Sequence, residues 1–255
     1  MSDTAILTLG LGALSFVSGM LGLGVAFAAV PFLSLFLPDL VHQVQPLSLV
    51  LNGITALFSL FGFARSGIVM WKPALLLALV TTVCAPLGGY LAQVINANYL
   101  WVFYFVAVVF LGFRMFAKEK PASRNAVDDN TGANGNLKLA LLLAAPISVV
   151  AGMLGVGPGF LLLPTLILVG YESKHAAAMN ALAVTPPSFS ALLPHIATAR
   201  VDMQLAGLLL VVGAIASFVG ARVTSLYVPG RRLKQIFGAL IVVMTAYKLY
   251  QIVSK

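Results

Sequence analysis

Eight long apolar runs dominate this sequence, and each of them is long enough to cross a lipid bilayer. A transmembrane helix needs about 20 consecutive, mostly apolar residues. Two further apolar runs, at residues 25–37 and 160–169, are short for a full crossing. The pattern predicts an all-α, multi-pass integral membrane protein of the plasma membrane or bacterial inner membrane. The long runs are residues 4–21, 47–64, 73–94, 99–116, 137–154, 176–196, 205–228 and 233–253.

The composition excludes most soluble classes of protein. Hydrophobic residues make up 60% of the chain and charged residues 9%, whereas soluble domains carry about 25% charged residues. The single cysteine excludes a disulfide scaffold. The net charge of +8 does not indicate nucleic acid, because many of the cations lie in short loops between apolar runs, as in membrane proteins. The lipid bilayer is therefore the expected partner.

The sequence contains an internal repeat. GMLGLGVAFAAVPFL begins at Gly19 and GMLGVGPGFLLLPTL begins at Gly152, which is an offset of 133 residues. His42 and His175 meet at the same offset. Chance rarely aligns glycine, proline, phenylalanine and histidine at one spacing, so we predict two repeats, 1–117 and 137–255, joined by a polar linker at 118–136. The other matched pairs are Gly19 with Gly152, Met20 with Met153, Leu21 with Leu154, Gly22 with Gly155, Gly24 with Gly157, Phe27 with Phe160 and Pro31 with Pro164.

The basic loops predict that the two repeats are inverted in the membrane. Lysine and arginine concentrate in cytoplasmic loops, which puts residues 65–72, the linker 118–136 and residues 231–234 in the cytoplasm. Residues 197–204, the equivalent of 65–72, then lie outside. Each repeat would hold four long helices and one short element, which either crosses or enters and returns. Both termini would lie outside.

Glycines interrupt both repeats at the junction of a long and a short apolar run. Gly22 and Gly24 lie at the first junction, and Gly155, Gly157 and Gly159 lie with Pro158 at the second. Paired Gly/Pro interruptions in corresponding segments indicate a transporter's binding site. A helix that begins at each break would present amides and a positive dipole end to an anion. Close helix packing is the alternative use of such glycines, and two matched breaks favour the binding site.

The pattern G-x-L-G-x-G-x-G-F-x-x-x-P, present twice, resembles the TauE/SafE sulfite exporter family over nearly the whole chain. The second copy, followed by YESKHAAAMNALAV, is the better match, since the first copy has Ala26 where the second has Gly159. The resemblance implies a secondary transporter of a small anion, sulfite or an organosulfonate. The substrate would bind at a midplane site between the repeats, with access alternating between the two sides. The alternatives are an importer of another small anion, an anion channel and a membrane enzyme.

Polar residues within the apolar runs complete the predicted substrate site. Ser48 and Asn52 lie four residues apart and therefore share a helix face, and Asn180 and Thr185 lie in the corresponding run of the second repeat. Hydrogen bonding between helices is an equally weighted alternative for these side chains. The predicted substrate-binding residues are Gly22, Gly24, Phe27, Ser48, Asn52, Gly155, Gly157, Gly159, Phe160, Asn180 and Thr185.

The matched histidines, His42 and His175, are candidates for proton coupling, because imidazole titrates near neutral pH. The alternative is an interfacial position at a loop. The sequence contains no clear catalytic pair and no cluster with metal-ligand spacing, so we expect no enzyme activity, no cofactor and no metal. The oligomeric state is left open, with a homo-oligomer among the alternatives.

Overall fold

The computed structural model describes residues 3–95 and 135–230, together with separate residues at 99, 102 and 106 and between 232 and 239. The described chain is helical, and six of its helices are long and apolar enough to cross a membrane. The predicted runs 99–116 and 233–253 and the linker 118–136 lie largely outside the described residues. The helices are α1 (Asp3–Leu21), α2 (Ala26–Leu33), α3 (Gln45–Ala64), α4 (Trp71–Val94), α5 (Leu137–Leu154), α6 (Gly159–Leu168), α7 (Ser173–Ser190) and α8 (Met203–Tyr227).

The helix ends follow local sequence signals. The side chain of Asn136 accepts a hydrogen bond from the Leu139 amide at the start of α5, and Asp202 caps α8 in the same way. The predicted run 47–64 places the start of this helix too late. Asp39 caps a π-helical turn, Leu40–Val44, and this turn leads directly into α3 at Gln45. The two short runs form the short helices α2 and α6, as their lengths predict.

Helices α3 and α7 form the centre of the bundle and run in opposite directions. The amide of Arg200, beyond α7, donates to the carbonyl of His42, before α3. At the other end, His175 near the start of α7 contacts the carbonyl of Ile68, beyond α3. In the spanning windows that contain these two helices 67% of residues are buried, against 33–39% in the other four windows. A polar side chain on α3 or α7 is therefore shielded from lipid.

The outer helices pack across the repeats through small residues. Gly19 of α1 lies against the main chain of Ser217 in α8, and Gly152 of α5 lies against the main chain of Ala85 in α4. Helix α1 thus packs on α8, and α5 packs on α4, and the two halves interlock. Small residues allow the close backbone approach on which helix packing in lipid depends.

The outer face of the bundle is apolar, as a lipid-facing surface must be. On α4, Leu79 is 65% exposed and Val83 is 70% exposed. On α8, Val211 and Ile215 are similarly exposed. A soluble protein rarely exposes a continuous apolar surface of this kind, so the described chain is a multi-pass membrane protein.

Candidate functional site

The two glycine breaks have the same backbone geometry. After α1, the amide of Gly22 donates to the Gly19 carbonyl and the amide of Leu23 donates to the Ser18 carbonyl. After α5, Gly155 and Val156 make the same pair of hydrogen bonds, 133 residues later. This pair of bonds is the Schellman motif, which ends helices at a left-handed glycine. Each long helix therefore ends inside the bundle, where residues 21–31 and 151–164 are buried throughout.

The second glycine of each break is also left-handed and touches the same side chain. Gly24 has a φ of 69° and Gly157 a φ of 68°, a conformation that costs glycine nothing. A Cβ added at either position would overlap the carboxamide of Asn52. Both breaks therefore lie against Asn52 on α3, so the structure brings the predicted residues Gly24, Gly157 and Asn52 together.

The first turn of α2 is capped by side chains of α3. The Ala26 amide donates to Oδ1 of Asn52 at 2.8 Å, and the Val25 amide donates to Oγ1 of Thr55 at 3.0 Å. Two of the amides that a helix leaves unpaired at its start are thus already satisfied. This end of the first break is closed to a ligand unless Asn52 and Thr55 move.

The first turn of α6 lacks these caps. Pro158, equivalent to Val25, has no amide hydrogen, so Ser188, equivalent to Thr55, is free to accept from Nδ2 of Asn52 at 2.9 Å. Thr185, equivalent to Asn52, donates its hydroxyl to the Ala181 carbonyl of its own helix. Within the described chain, the amides of Gly159 and Phe160 have no hydrogen-bond acceptor. The two breaks match in backbone but differ in capping, and the second presents two unpaired, buried donors.

Two further contacts join the breaks. The rings of Phe27 and Phe160 stack with their centroids 5.0 Å apart. Nδ2 of Asn180 donates to the carbonyl of Gly22 at 2.8 Å and to that of Gly159 at 3.2 Å. The predicted residues Gly22, Phe27, Gly159, Phe160 and Asn180 are therefore neighbours, although Asn180 directs its donor at main chain.

The remaining predicted residues are arranged differently. Ser48 is fully buried one turn before Asn52, and its hydroxyl has no partner among the described residues. His42 and His175 lie at opposite ends of the bundle. Nδ1 of His42 lies 2.9 Å from Oδ2 of Asp39, whereas Nδ1 of His175 donates to the Ile68 carbonyl and its Nε2 lies 3.7 Å from Glu172.

The carboxyl group of Asp39 is held in its charged form. Burial raises its pKa, but the hydrogen bonds and the charge of His42 outweigh this effect, and the pKa of Asp39 lies below its ordinary value. Asp39 therefore stays ionised near neutral pH, with its carboxylate beside the ring of His42.

A buried polar stripe on α3 includes residues that the sequence analysis did not select. Its members recur every three or four residues, which is the spacing of one helix face, and all are fully buried. The spacing could have identified Gln45, Thr55 and Ser59, and the 133-residue offset could have identified Ser188 as the equivalent of Thr55. The stripe consists of Gln45, Ser48, Asn52, Thr55 and Ser59.

The donors at the centre suit an anion better than a multivalent metal. No group of three or more histidine, cysteine, aspartate or glutamate side chains occurs within the described ranges. No lysine or arginine is buried among these residues either. Amides, hydroxyls and main-chain carbonyls are therefore the groups that can contact a ligand there.

Comparison with known proteins shows which family and which relatives this chain is similar to. The sequence profile of the family described as sulfite exporter TauE/SafE matches residues 6–248. A probable membrane transporter protein of Xylella fastidiosa (strain 9a5c) is 25% identical over 254 residues, which is 98% of this chain and 96% of the relative. The probable membrane transporter protein YdhB of Bacillus subtilis is 23% identical and covers 84% of this chain and 87% of its own length. No solved structure matches the chain.

Proposed function

The chain belongs to the sulfite exporter TauE/SafE family and is a membrane transporter, and from this premise we propose that it is a secondary transporter of sulfite or an organosulfonate. The substrate anion binds between the two breaks, and the halves of the bundle expose it alternately to the two sides. The observation that carries the proposal is the uncapped first turn of α6. Its Gly159 and Phe160 amides are buried and have no acceptor among the described residues, and they follow closely after Gly157, which lies against Asn52.

Electrostatics favours an anion at this position. The start of a helix carries a partial positive charge of about half an elementary charge, and amides that point outward from it can bind oxyanions. Nδ2 of Asn52 supplies a further donor hydrogen beyond the one it gives to Ser188. A sulfite or sulfonate group has three oxygens, so two amides and one carboxamide provide one donor for each. Ser48, Asn180 and Thr185 complete the wall of the proposed site.

The helix arrangement supports alternating access between inverted halves. Helices α3 and α7 are equivalent in the two repeats and run antiparallel. The first helix of each repeat packs against the fourth helix of the other repeat, α1 on α8 and α5 on α4. Halves 1–117 and 137–255, each with four long helices and one short one, would be related in this way. The deep burial of both breaks favours an occluded transporter over an open channel.

Counterflow tests this function. Proteoliposomes loaded with unlabelled sulfite, then diluted into medium with [35S]sulfite, should accumulate label transiently above its external concentration. When the membrane potential is clamped at zero, an anion channel gives no such overshoot. Sulfoacetate, thiosulfate, taurine and carboxylates, added outside in excess, identify the preferred anion by competition. If none of these sulfur anions is exchanged but a carboxylate is, the chain carries another small anion.

The inverted arrangement predicts opposite exposure of the amino terminus and the linker. Cysteines introduced as Ser2→Cys and Asn130→Cys, each in a Cys84→Ala background, should react with an impermeant maleimide from opposite sides of the membrane. The reason is that Lys and Arg place the linker in the cytoplasm. Labelling in intact cells and in inside-out vesicles measures this. Reaction of both cysteines from one side contradicts the inverted arrangement.

Proton coupling through the histidines remains a separate proposal. If His42 and His175 carry protons, the double variant His42→Gln, His175→Gln should flatten the pH dependence of uptake between about pH 5 and pH 8, the range in which imidazole titrates. Asp39→Asn is the comparison variant, since it keeps an oxygen that can accept from the His42 amide and removes the carboxylate charge beside the ring. An unchanged profile in the double variant leaves the histidines as interfacial residues.

A further inference from the structure

The carboxyl-terminal end of α5 meets the first two members of the polar stripe. Nε2 of Gln45 lies 3.4 Å from the Met153 carbonyl, and its carboxamide carbon would lie 3.1 Å from a Cβ at Gly155. Gln45 therefore lies against the helix end itself. Ser48 follows one turn later on the same face of α3, where side chains three residues apart are neighbours.

Oxygen atoms at this place lack partners. Oε1 of Gln45 and Oγ of Ser48 have no hydrogen-bond donor among the described residues, although both side chains are fully buried. The last carbonyls of a helix carry partial negative charge, and the Met153 carbonyl accepts only one long hydrogen bond, from Nε2 of Gln45 at 3.4 Å. A buried acceptor without a donor is costly, and no buried lysine or arginine supplies one in the described ranges. The oxygens of Gln45 and Ser48 therefore have no positively charged partner among the described residues.

We propose that a monovalent alkali cation binds at the end of α5, between Oε1 of Gln45, Oγ of Ser48 and the Met153 carbonyl. Hard cations take oxygen ligands, and divalent ions are bound largely through carboxylates. The oxygens here are uncharged, which selects a monovalent ion. Unwound helix ends bind coupling cations in other membrane transporters for the same electrostatic reason.

The corresponding end of α1 lacks the side-chain oxygen that Gln45 supplies. The Gly22 carbonyl there accepts from Nδ2 of Asn180 at 2.8 Å. Leu47 and Ala178 occupy the positions equivalent to Asn180 and Gln45. The cation site is thus specific to the second break.

The site provides a coupling mechanism, which rests on the proposed anion transport. The cation at the carboxyl-terminal end of α5 and the anion at the amino-terminal start of α6 would lie on either side of the connecting residues Val156–Pro158. Each ion lowers the electrostatic cost of binding the other. Because linkage is reciprocal, the cation should raise the anion affinity by the same factor as the anion raises the cation affinity.

Direct binding of 22Na+ to the purified full-length protein tests the site without any anion. At pH 8, with choline chloride holding the ionic strength constant, the wild type should bind 22Na+ saturably at about one ion per chain. Gln45→Leu and Ser48→Ala should each weaken binding by about tenfold or more, as the loss of groups around a metal does. Thr224→Val is the matched control, because Thr224 is an equally buried hydroxyl without a described partner, on α8, and should bind like the wild type.

A gain-of-affinity variant separates binding from folding. Gln45→Glu keeps the shape of the side chain and replaces a neutral oxygen with a charged one, so it should bind 22Na+ more tightly than the wild type. Absence of saturable binding in the wild type, or equal affinity in Gln45→Leu, Ser48→Ala and Gln45→Glu, overturns the site. Sulfite binding is measured in parallel with and without Na+. If 22Na+ behaves as expected while sulfite does not bind, the proposed substrate is wrong and the cation site stands.

Discussion

Gly157→Leu should abolish sulfite counterflow while the protein remains folded in the membrane. A Cβ at position 157 would overlap Nδ2 of Asn52 and lie 3.4 Å from Oγ of Ser188, so the side chain displaces the carboxamide and covers the first turn of α6. Two hydrogen bonds to a charged ligand are lost at about 1.5–3 kcal/mol each. Since about 1.4 kcal/mol corresponds to a tenfold change, sulfite affinity should fall by about a hundredfold or more.

The cost to folding is smaller. A non-glycine residue in the left-handed conformation costs roughly 1–2 kcal/mol, and the φ of Gly157 is 68°. Displacement of the Asn52 carboxamide from the Ala26 amide costs about 1–3 kcal/mol more. Folded proteins are stable by about 5–15 kcal/mol, so most of the population should remain native. Monodisperse elution in detergent and an unchanged helical circular dichroism spectrum would verify this.

Gly207→Leu is the matched control for this variant. Gly207 lies on the exposed face of α8, and no atom lies within 4 Å of a Cβ added there. Its φ is not left-handed. Counterflow by Gly207→Leu should equal that of the wild type. Wild-type counterflow by Gly157→Leu would mean that the second break is a packing device and that the anion binds elsewhere.

The sequence predicts the breaks because their cause is local. Glycine is the residue that accepts a left-handed conformation without strain, and Gly22, Gly24, Gly155 and Gly157 all adopt it. The sequence predicts the helices on either side equally well, because an apolar run of about 20 residues in lipid can satisfy its backbone hydrogen bonds by itself only as a helix. Local patterns therefore predict the position of the candidate site along the chain.

The capping of the breaks is not local, and the sequence alone predicts it poorly. Asn52 and Ser188 are 136 residues apart and meet only because α3 packs against α7. The sequence predicts Asn180 and Thr185 as ligand donors, whereas in the structure Asn180 donates to main-chain carbonyls and Thr185 donates within its own helix. The absence of an amide hydrogen in Pro158 is visible in the sequence. Its consequence for Ser188 becomes clear only when the cap at Val25 is known.

Replacement of Asn52 tests two roles of this residue, which are to cap the Ala26 amide and to bind the substrate anion. Asn52→Leu removes the acceptor for the Ala26 amide and the donor to Ser188. The Ala26 amide is buried, and a buried donor without a partner costs about 1–3 kcal/mol. Asn52→Leu should therefore unfold at a lower temperature than the wild type and should give no counterflow. Thermal unfolding and counterflow on one preparation measure both effects.

Ser59→Ala is the control on the same buried stripe. The Ser59 hydroxyl donates to the Thr55 carbonyl of its own helix, so its removal exposes no unpaired amide and alters neither break. The variant should unfold within a few degrees of the wild type and retain counterflow. Loss of transport in Ser59→Ala would show that any change along the stripe is harmful, and Asn52 would lose its special role.

Asn52→Asp decides between a cap and an anion ligand. A carboxylate accepts from a helix-start amide as well as a carboxamide does, so the bond from Ala26 persists, although burial of an unpaired charge at this position lowers the stability. The carboxylate has no donor hydrogen, however, and its charge repels an anion at the start of α6. Loss of sulfite binding by the folded fraction of this variant, identified by its helical circular dichroism, places the side chain of residue 52 close to the anion. If Asn52→Asp binds sulfite as the wild type does, Asn52 serves only to hold α2 against α3, and the donors to the anion would be the Gly159 and Phe160 amides alone.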